Sequence, residues 1–116
     1  MSTNCLSKNN HLLKGDFLVS NNKQYKAIFQ DDGNFVIYAW RPVWASDTCG
    51  SDAFRLIMQE DCNLVMYNKC GTPRWHTNSV RPSCNVCRLH LTDDGKLVVY
   101  RESEEIWNSA VSKGMK

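Results

Sequence analysis

Gln30-Asp31-Asp32-Gly33-Asn34-Phe35-Val36-Ile37-Tyr38 and Gln59-Glu60-Asp61-Cys62-Asn63-Leu64-Val65-Met66-Tyr67 carry the same residue at five alternate positions: Gln, Asp, Asn, Val and Tyr. A third copy, Thr92-Asp93-Asp94-Gly95-Lys96-Leu97-Val98-Val99-Tyr100, keeps the Asp, Val and Tyr but has Thr for the Gln and Lys for the Asn. A tryptophan follows each copy, at Trp44, Trp75 and Trp107. The tyrosines lie 29 and 33 residues apart and the tryptophans 31 and 32 apart. Two independent markers with one period define three repeats. Side chains alternate across a strand. Gln30, Asp32, Asn34, Val36 and Tyr38 therefore share one face, and Phe35 and Ile37 the other. Leu64 and Met66, then Leu97 and Val99, repeat that apolar face. The short alternating runs, the Asp-Gly turn signals at 32–33 and 94–95, and the absence of a sustained 3.6-residue period give an all-β chain. The apolar faces should form one core, with Trp44, Trp75 and Trp107 meeting at the centre of a threefold arrangement.

Working outward, the chain has 116 residues, 42% hydrophobic and 22% charged. That suits a single domain, residues 1–116, with its motifs at 30–38, 59–67 and 92–100. Fourteen basic against twelve acidic residues leave a net charge of +2. That charge gives no electrostatic reason to expect nucleic acid or an anionic membrane as partner. The longest apolar runs are far short of a membrane-spanning helix, so no membrane insertion is expected. The first twenty residues lack a basic start and an apolar block, so no secretory signal is read there. The six cysteines, at 5, 49, 62, 70, 84 and 87, suit disulfides and an oxidising compartment. The two observations conflict. The expectation is an extracellular protein, in mucus or a secretion, exported by a leaderless route, with a cytoplasmic location as the alternative.

The polar face has two readings. It is either a solvated scaffold face with Asp and Asn as turn formers, or a site for a small polyhydroxylated ligand. A carboxylate accepts hydrogen bonds from hydroxyls, an amide donates and accepts, a phenol does either, and Val offers an apolar patch to a sugar's C–H face. Such a set needs neither metal nor nucleophile. Each bond nets about 1 kcal/mol, so one shallow site should bind at roughly 0.1–10 mM. Repeated sites would add avidity.

Gln-x-Asp-x-Asn-x-Val-x-Tyr resembles the signature of the bulb-type mannose-binding lectins of monocot plants and of their fish counterparts, the lily-type lectins. Asn9-Asn10 with Leu12, Gly15-Asp16, Leu18 and Ser20 resembles the family's opening strands, and Trp44-Ala45-Ser46-Asp47-Thr48 its repeat end. The resemblance spans roughly residues 6 to 110. It implies a β-prism of the second type, three four-stranded antiparallel sheets around a pseudo-threefold axis, and calcium-independent binding of mannose and mannose-containing glycans. It also implies sites at Gln30, Asp32, Asn34, Val36 and Tyr38 and at Gln59, Asp61, Asn63, Val65 and Tyr67. There the Gln, Asp and Asn would bond the O2 and O3 region, the Tyr would reach O4, and the Val would pack on ring carbons. A homodimer made by C-terminal strand exchange, through the segment Glu105 to Lys116, and a part in mucosal defence are implied as well. Thr92, Asp94, Lys96, Val98 and Tyr100 form a degenerate third site. Thr92 lacks an amide's reach, and Lys96 can occupy the Asp94 carboxylate, so this site should be weak or dead. Retuning by Lys96 toward another glycan is the milder alternative.

The resemblance implies a disulfide between Cys62 and Cys87; Cys70 and Cys84 flank the same hairpin region and are read as a second, weaker pairing, leaving Cys5 and Cys49 to bond, to stay reduced or to link chains. A zinc site fits poorly, because Cys62 and Cys70 are too far apart to form a close ligand pair. No cofactor or metal is expected. His11, His76 and His90 sit in no nucleophile setting, and His90 is read as a surface or core-edge residue. Asp31 and Asp32, adjacent along a strand, would face opposite ways and form no catalytic pair. The chain is not read as an enzyme. The rival is a protein-interaction module on the same fold. Trp40, outside the repeat, is read as a packing residue, with an exposed contact as the alternative.

Overall fold

The computed structural model describes residues 3–82 and 86–116. Among the described residues there are twelve strands and no helix. They are β1 (Cys5–Ser7), β2 (His11–Leu13), β3 (Phe17–Val19), β4 (Lys26–Phe29), β5 (Phe35–Tyr38), β6 (Pro42–Ala45), β7 (Ala53–Met58), β8 (Leu64–Asn68), β9 (Pro73–His76), β10 (Cys87–Leu91), β11 (Leu97–Arg101) and β12 (Glu104–Asn108). They make three four-stranded antiparallel sheets, ordered β3-β4-β5-β6, β2-β7-β8-β9 and β1-β10-β11-β12. This is the three-sided arrangement expected from the repeats. The first three strands do not pair with one another. Each edges a different sheet, so the N-terminal segment stitches all three together.

The apolar face behaves as the alternation predicts. Phe35, Ile37, Leu64, Met66, Leu97 and Val99 are fully buried in one core. Trp44, Trp75 and Trp107 close it, each pair of ring centroids 6.1 Å apart and inclined by 70–81°. Edge-to-face packing of that kind adds to the area each ring buries. Trp75 donates its Nε1–H to the carbonyl of Lys113 at 2.6 Å.

The motif is not one continuous strand, which corrects the reading of Asp31 and Asp32. Gln30 N donates to Asn34 O at 2.8 Å and Gly33 N to Gln30 O at 3.0 Å, so 30–34 is a turn and β5 begins at Phe35. The same closure recurs from Gln59 N to Asn63 O at 3.0 Å and from Thr92 N to Lys96 O at 2.9 Å. Gly33 has φ +85°, and a Cβ there would lie 2.5 Å from Ser51 Oγ. Cys62 adopts the corresponding positive φ, +71°, in the second copy. Its side chain forms the disulfide to Cys87, which a separation of 25 residues makes worth about 3–4 kcal/mol by loop-closure entropy. Sulfurs joined in this way are not thiolate ligands for zinc. The Cys70–Cys84 pairing lies outside the described residues, because Cys84 does; Cys70 is exposed.

β12 pairs with β11, and beyond it Met115 exchanges two backbone bonds with His76, at 2.7 and 2.8 Å.

Candidate binding site

The polar residues of the first motif are gathered by two devices. The turn presents Gln30, Asp32 and Asn34, and β5 presents Val36 and Tyr38 on the face away from the core. A register shift lies between Ile37 and Tyr38, and others between Met66 and Tyr67 and between Val99 and Tyr100. Each falls just before the motif tyrosine, where a bulge re-aims a side chain. Pro42 and Pro73 stand opposite Tyr38 and Tyr67. Proline is tolerated there, on edge strands beside a bulge.

In the first copy Gln30 Nε2 donates to the Tyr38 hydroxyl at 2.6 Å. That leaves the phenol proton and Gln30 Oε1 for a ligand. Asp32 Oδ1 accepts from Asn34 N at 3.0 Å. Asn34 Oδ1 accepts from Thr48 N at 3.1 Å and from Ser46 Oγ at 3.2 Å. A backbone N–H only donates, so the amide oxygen is held inward and Nδ2 is the end left to donate outward. The second copy repeats the arrangement. Gln59 Nε2 donates to Tyr67, Asn63 N donates to Asp61 Oδ1 at 3.0 Å, and Asn63 Oδ1 accepts from Ser79 N at 3.1 Å and Thr77 Oγ1 at 3.2 Å. Asp32 and Asp61 are exposed, and the other polar members are half-buried. Val36 and Val65 are each only 4% exposed, so little of either remains for ring carbons.

Ser46, Thr48, Thr77 and Ser79 hold the motif amides at positions that the motif alone does not disclose. A signal was present: Trp-x-Ser/Thr-x-Thr/Ser recurs after the first two motifs, at 44–48 and 75–79.

The two copies differ at one point. Cys49, exposed, directs its thiol to Asp32 Oδ2 at 3.4 Å; Val80 occupies the corresponding place in the second copy. The hydrogen bond and charge of Asp32 push the Cys49 thiol pKa above its ordinary value.

The third copy is rebuilt. Thr92 donates to Asp94 Oδ1, Lys96 Nζ lies 3.5 Å from Asp94 Oδ2, and Lys96 N donates to Thr92 Oγ1 at 3.1 Å. Both carboxylate oxygens are thus engaged. The Thr92 hydroxyl first, and then the charge of Lys96, hold the Asp94 carboxyl below the usual range. Val98 is 1% exposed. Tyr100 lies beneath the Arg88 guanidinium, 4.7 Å from its ring centroid, and 6.2 Å from the His90 ring. His90 is half-buried and meets Asn4 Nδ2 through Nε2 at 2.9 Å. Burial first, then Arg88, push its pKa down, against an upward pull from Asp93.

Trp40 is 88% exposed, with the Arg41 guanidinium 5.1 Å from its ring centroid. This corrects the packing role. The residue lies beyond β5 in the link to β6, where the sheet no longer covers the chain.

No family model matches the chain. The B-type lectin plumieribetin of the fish Scorpaena plumieri is 66% identical over 113 residues, covering 97% of this chain and all of that one. Monomeric monocot mannose-binding lectins from Gastrodia elata superpose with a TM-score of 0.83 at 33% identity, over 95% of this chain and 99% of theirs. The mannose-specific agglutinin of snowdrop (Galanthus nivalis), solved with methyl-α-D-mannoside, gives 0.77 at 33% identity, over 84% of this chain and 88% of that one.

Proposed function

The chain belongs to the bulb-type lectin family, with its β-prism fold, and from that premise we propose a metal-independent mannose lectin with two working sites. The relatives are binding proteins with no catalytic step, and the chain is not an enzyme. The observation that carries the proposal is the twice-built polar set. In each copy one carboxylate oxygen, one amide NH2 and one phenol are left by the turn's own hydrogen bonds, the first copy's Asp32 Oδ2 also being met by the weakly donating Cys49 thiol. Vicinal sugar hydroxyls, each a donor and an acceptor, match this pattern.

The ligand set is complete without an ion, and among the described residues no group of three or more metal-binding side chains lies together. Four or five bonds of about 1 kcal/mol give roughly 3–5 kcal/mol per site, in the millimolar range. Avidity then supplies working affinity. Retention on mannose-agarose in excess EDTA, followed by elution with free mannose, is the expected result. Flow-through in EDTA with retention in calcium would remove the metal independence. Retention that free mannose does not release would favour a protein-interaction surface, for which the exposed Trp40 is the supporting observation.

A homodimer would double the sites. β12 and the tail make their contacts within one chain, and reopening the β11–β12 link would let a second copy make the same contacts in exchange. The Gastrodia lectins are described as monomeric, so the fold does not impose this. Sedimentation should give twice 13.3 kDa for the full chain, and a species of 13.3 kDa alone would refute the dimer. A mannose-recognising protein with a disulfide fits an extracellular setting, in a secretion or mucus, where defence against microbial glycans is the role that we assign to it.

A further inference from the structure

After the tryptophan the chain takes one course in the first two copies and another in the third. In the first copy Ser46 and Thr48, 2% and 5% exposed, lie 2.8 Å apart between Asn34 and the Gly33 carbonyl. Ser46 Oγ accepts from Phe35 N at 3.0 Å, and Thr48 Oγ1 donates to Gly33 O at 2.6 Å. The segment continues over the turn, where Gly50 N donates to Asp32 O at 2.7 Å. Thr77 and Ser79, 3% and 1% exposed, do the same in the second copy. Thr77 Oγ1 accepts from Leu64 N at 3.1 Å, Ser79 Oγ donates to Cys62 O at 2.7 Å, and Arg81 N donates to Asp61 O at 2.9 Å.

The third copy begins the same way and then departs. Ser109 Oγ still accepts from Leu97 N at 2.9 Å. The second hydroxyl position is Val111, 81% exposed. From there the tail crosses to the second sheet. The Lys113 carbonyl takes the Trp75 indole proton at 2.6 Å, and Met115 pairs with His76. Lys113 Nζ reaches Asp47 at 3.2 Å. A Cβ on Gly114 would lie 2.7 Å from the Trp75 ring, so the tail is closely seated.

We propose that Ser46–Thr48 and Thr77–Ser79 are positioning residues that set the Asn34 and Asn63 amides for the sugar, and that the third copy would stay silent even with its motif restored because its equivalent segment docks on Trp75 and His76 instead. The defect therefore extends beyond the motif changes at Thr92 and Lys96. Restoring the motif with Thr92→Gln and Lys96→Asn would place an amide whose oxygen has no backbone N–H to hold it. This inference rests on the reading of Asn34 and Asn63 as sugar donors.

The test is a titration of isotope-labelled protein with methyl α-D-mannopyranoside, followed site by site in amide-correlation NMR spectra. This monovalent probe removes avidity. Ser46→Ala with Thr48→Val should weaken the first site by about tenfold or more. The second site should titrate as in the wild type, which also shows that the fold survives. Ser46→Thr with Thr48→Ser, the order found in the second copy, should restore the first site. Thr92→Gln with Lys96→Asn exchanges two half-buried turn side chains for those of the intact copies, and should add no saturable shifts around residues 92–100. Wild-type affinity at the first site without its hydroxyl pair would overturn the proposal, as would a third site of wild-type affinity after motif repair. If the wild type shows no mannose shifts at all, the functional reading fails. The positioning claim is then decided by the side-chain amide resonances of Asn34. Collapse to free-amide positions on losing the hydroxyl pair sustains it, and unchanged resonances overturn it.

Discussion

Asn34→Asp with Asn63→Asp abolishes retention on mannose-agarose and leaves the protein folded. Aspartate has the shape of asparagine and keeps the oxygen that accepts from Thr48 N and Ser46 Oγ, or from Ser79 N and Thr77 Oγ1. What it loses is the outward NH2. In its place stands a carboxylate oxygen, facing a sugar hydroxyl whose own proton is needed by Asp32 or Asp61. Loss of a donated bond, together with an acceptor facing an acceptor, should weaken each site by at least about tenfold, or about 1.4 kcal/mol. With millimolar sites and avidity from several of them, that removes retention altogether. Alanine at both positions should abolish retention too, but with a cost to the fold. Thr48 and Ser79 are buried, and each would be left with an unsatisfied N–H at about 1–3 kcal/mol. Column retention and a urea unfolding curve for each variant check both halves. Undiminished retention of the aspartate variant would mean that the amide nitrogens do not touch the sugar.

Trp75→Ala costs roughly 3–5 kcal/mol of stability, a large share of what a domain of this size possesses. Trp75 is 1% exposed and packs edge-to-face against both other central tryptophans. Its indole also holds the Lys113 carbonyl, so its removal should loosen the tail as well as open a cavity. Trp107→Ala removes a ring of similar burial, but one whose Nε1 has no hydrogen-bond partner among the described residues. It should leave the tail bond intact. Trp40→Ala is the internal control: at 88% exposure it should change stability by less than about 0.5 kcal/mol. Urea midpoints of the three variants provide the comparison, and a Trp75→Ala cost under about 1 kcal/mol would show that the three rings are not what closes the core.

The pairing partners of the motif residues show where sequence reading stops. Tyr38, Tyr67 and Tyr100 are predicted on the polar face by alternation alone, and they lie there. Their aim depends on a bulge whose existence is decided by how β6, β9 and β12 settle against the motif strands. Asp31 and Asp32 show the opposite case. Strict alternation extended backwards from β5 misplaces them, because a closed turn, not a strand, precedes Phe35. Lys96 beside Asp94 could be anticipated from spacing, since both belong to one turn. Trp40 could not be placed, because an isolated tryptophan looks the same in sequence whether a sheet covers it or not.

By itself the sequence determined the three repeats, the all-β class, the division of each motif strand into an apolar and a polar face, and the central tryptophans. These follow from local periodicity and recurrence, and a strand's alternation holds wherever the strand is placed. Only the tertiary structure decided which end of each Asn amide faces outward, and whether a copy keeps the hydroxyl pair that orients it. The partners of Asn34 and Asn63 lie 12 to 16 residues along the chain. The contact that draws the third copy's segment away joins Trp75 to Lys113, 38 residues apart. Those meetings exist only once three sheets have closed around one core, because closure sets where each segment after a tryptophan can run.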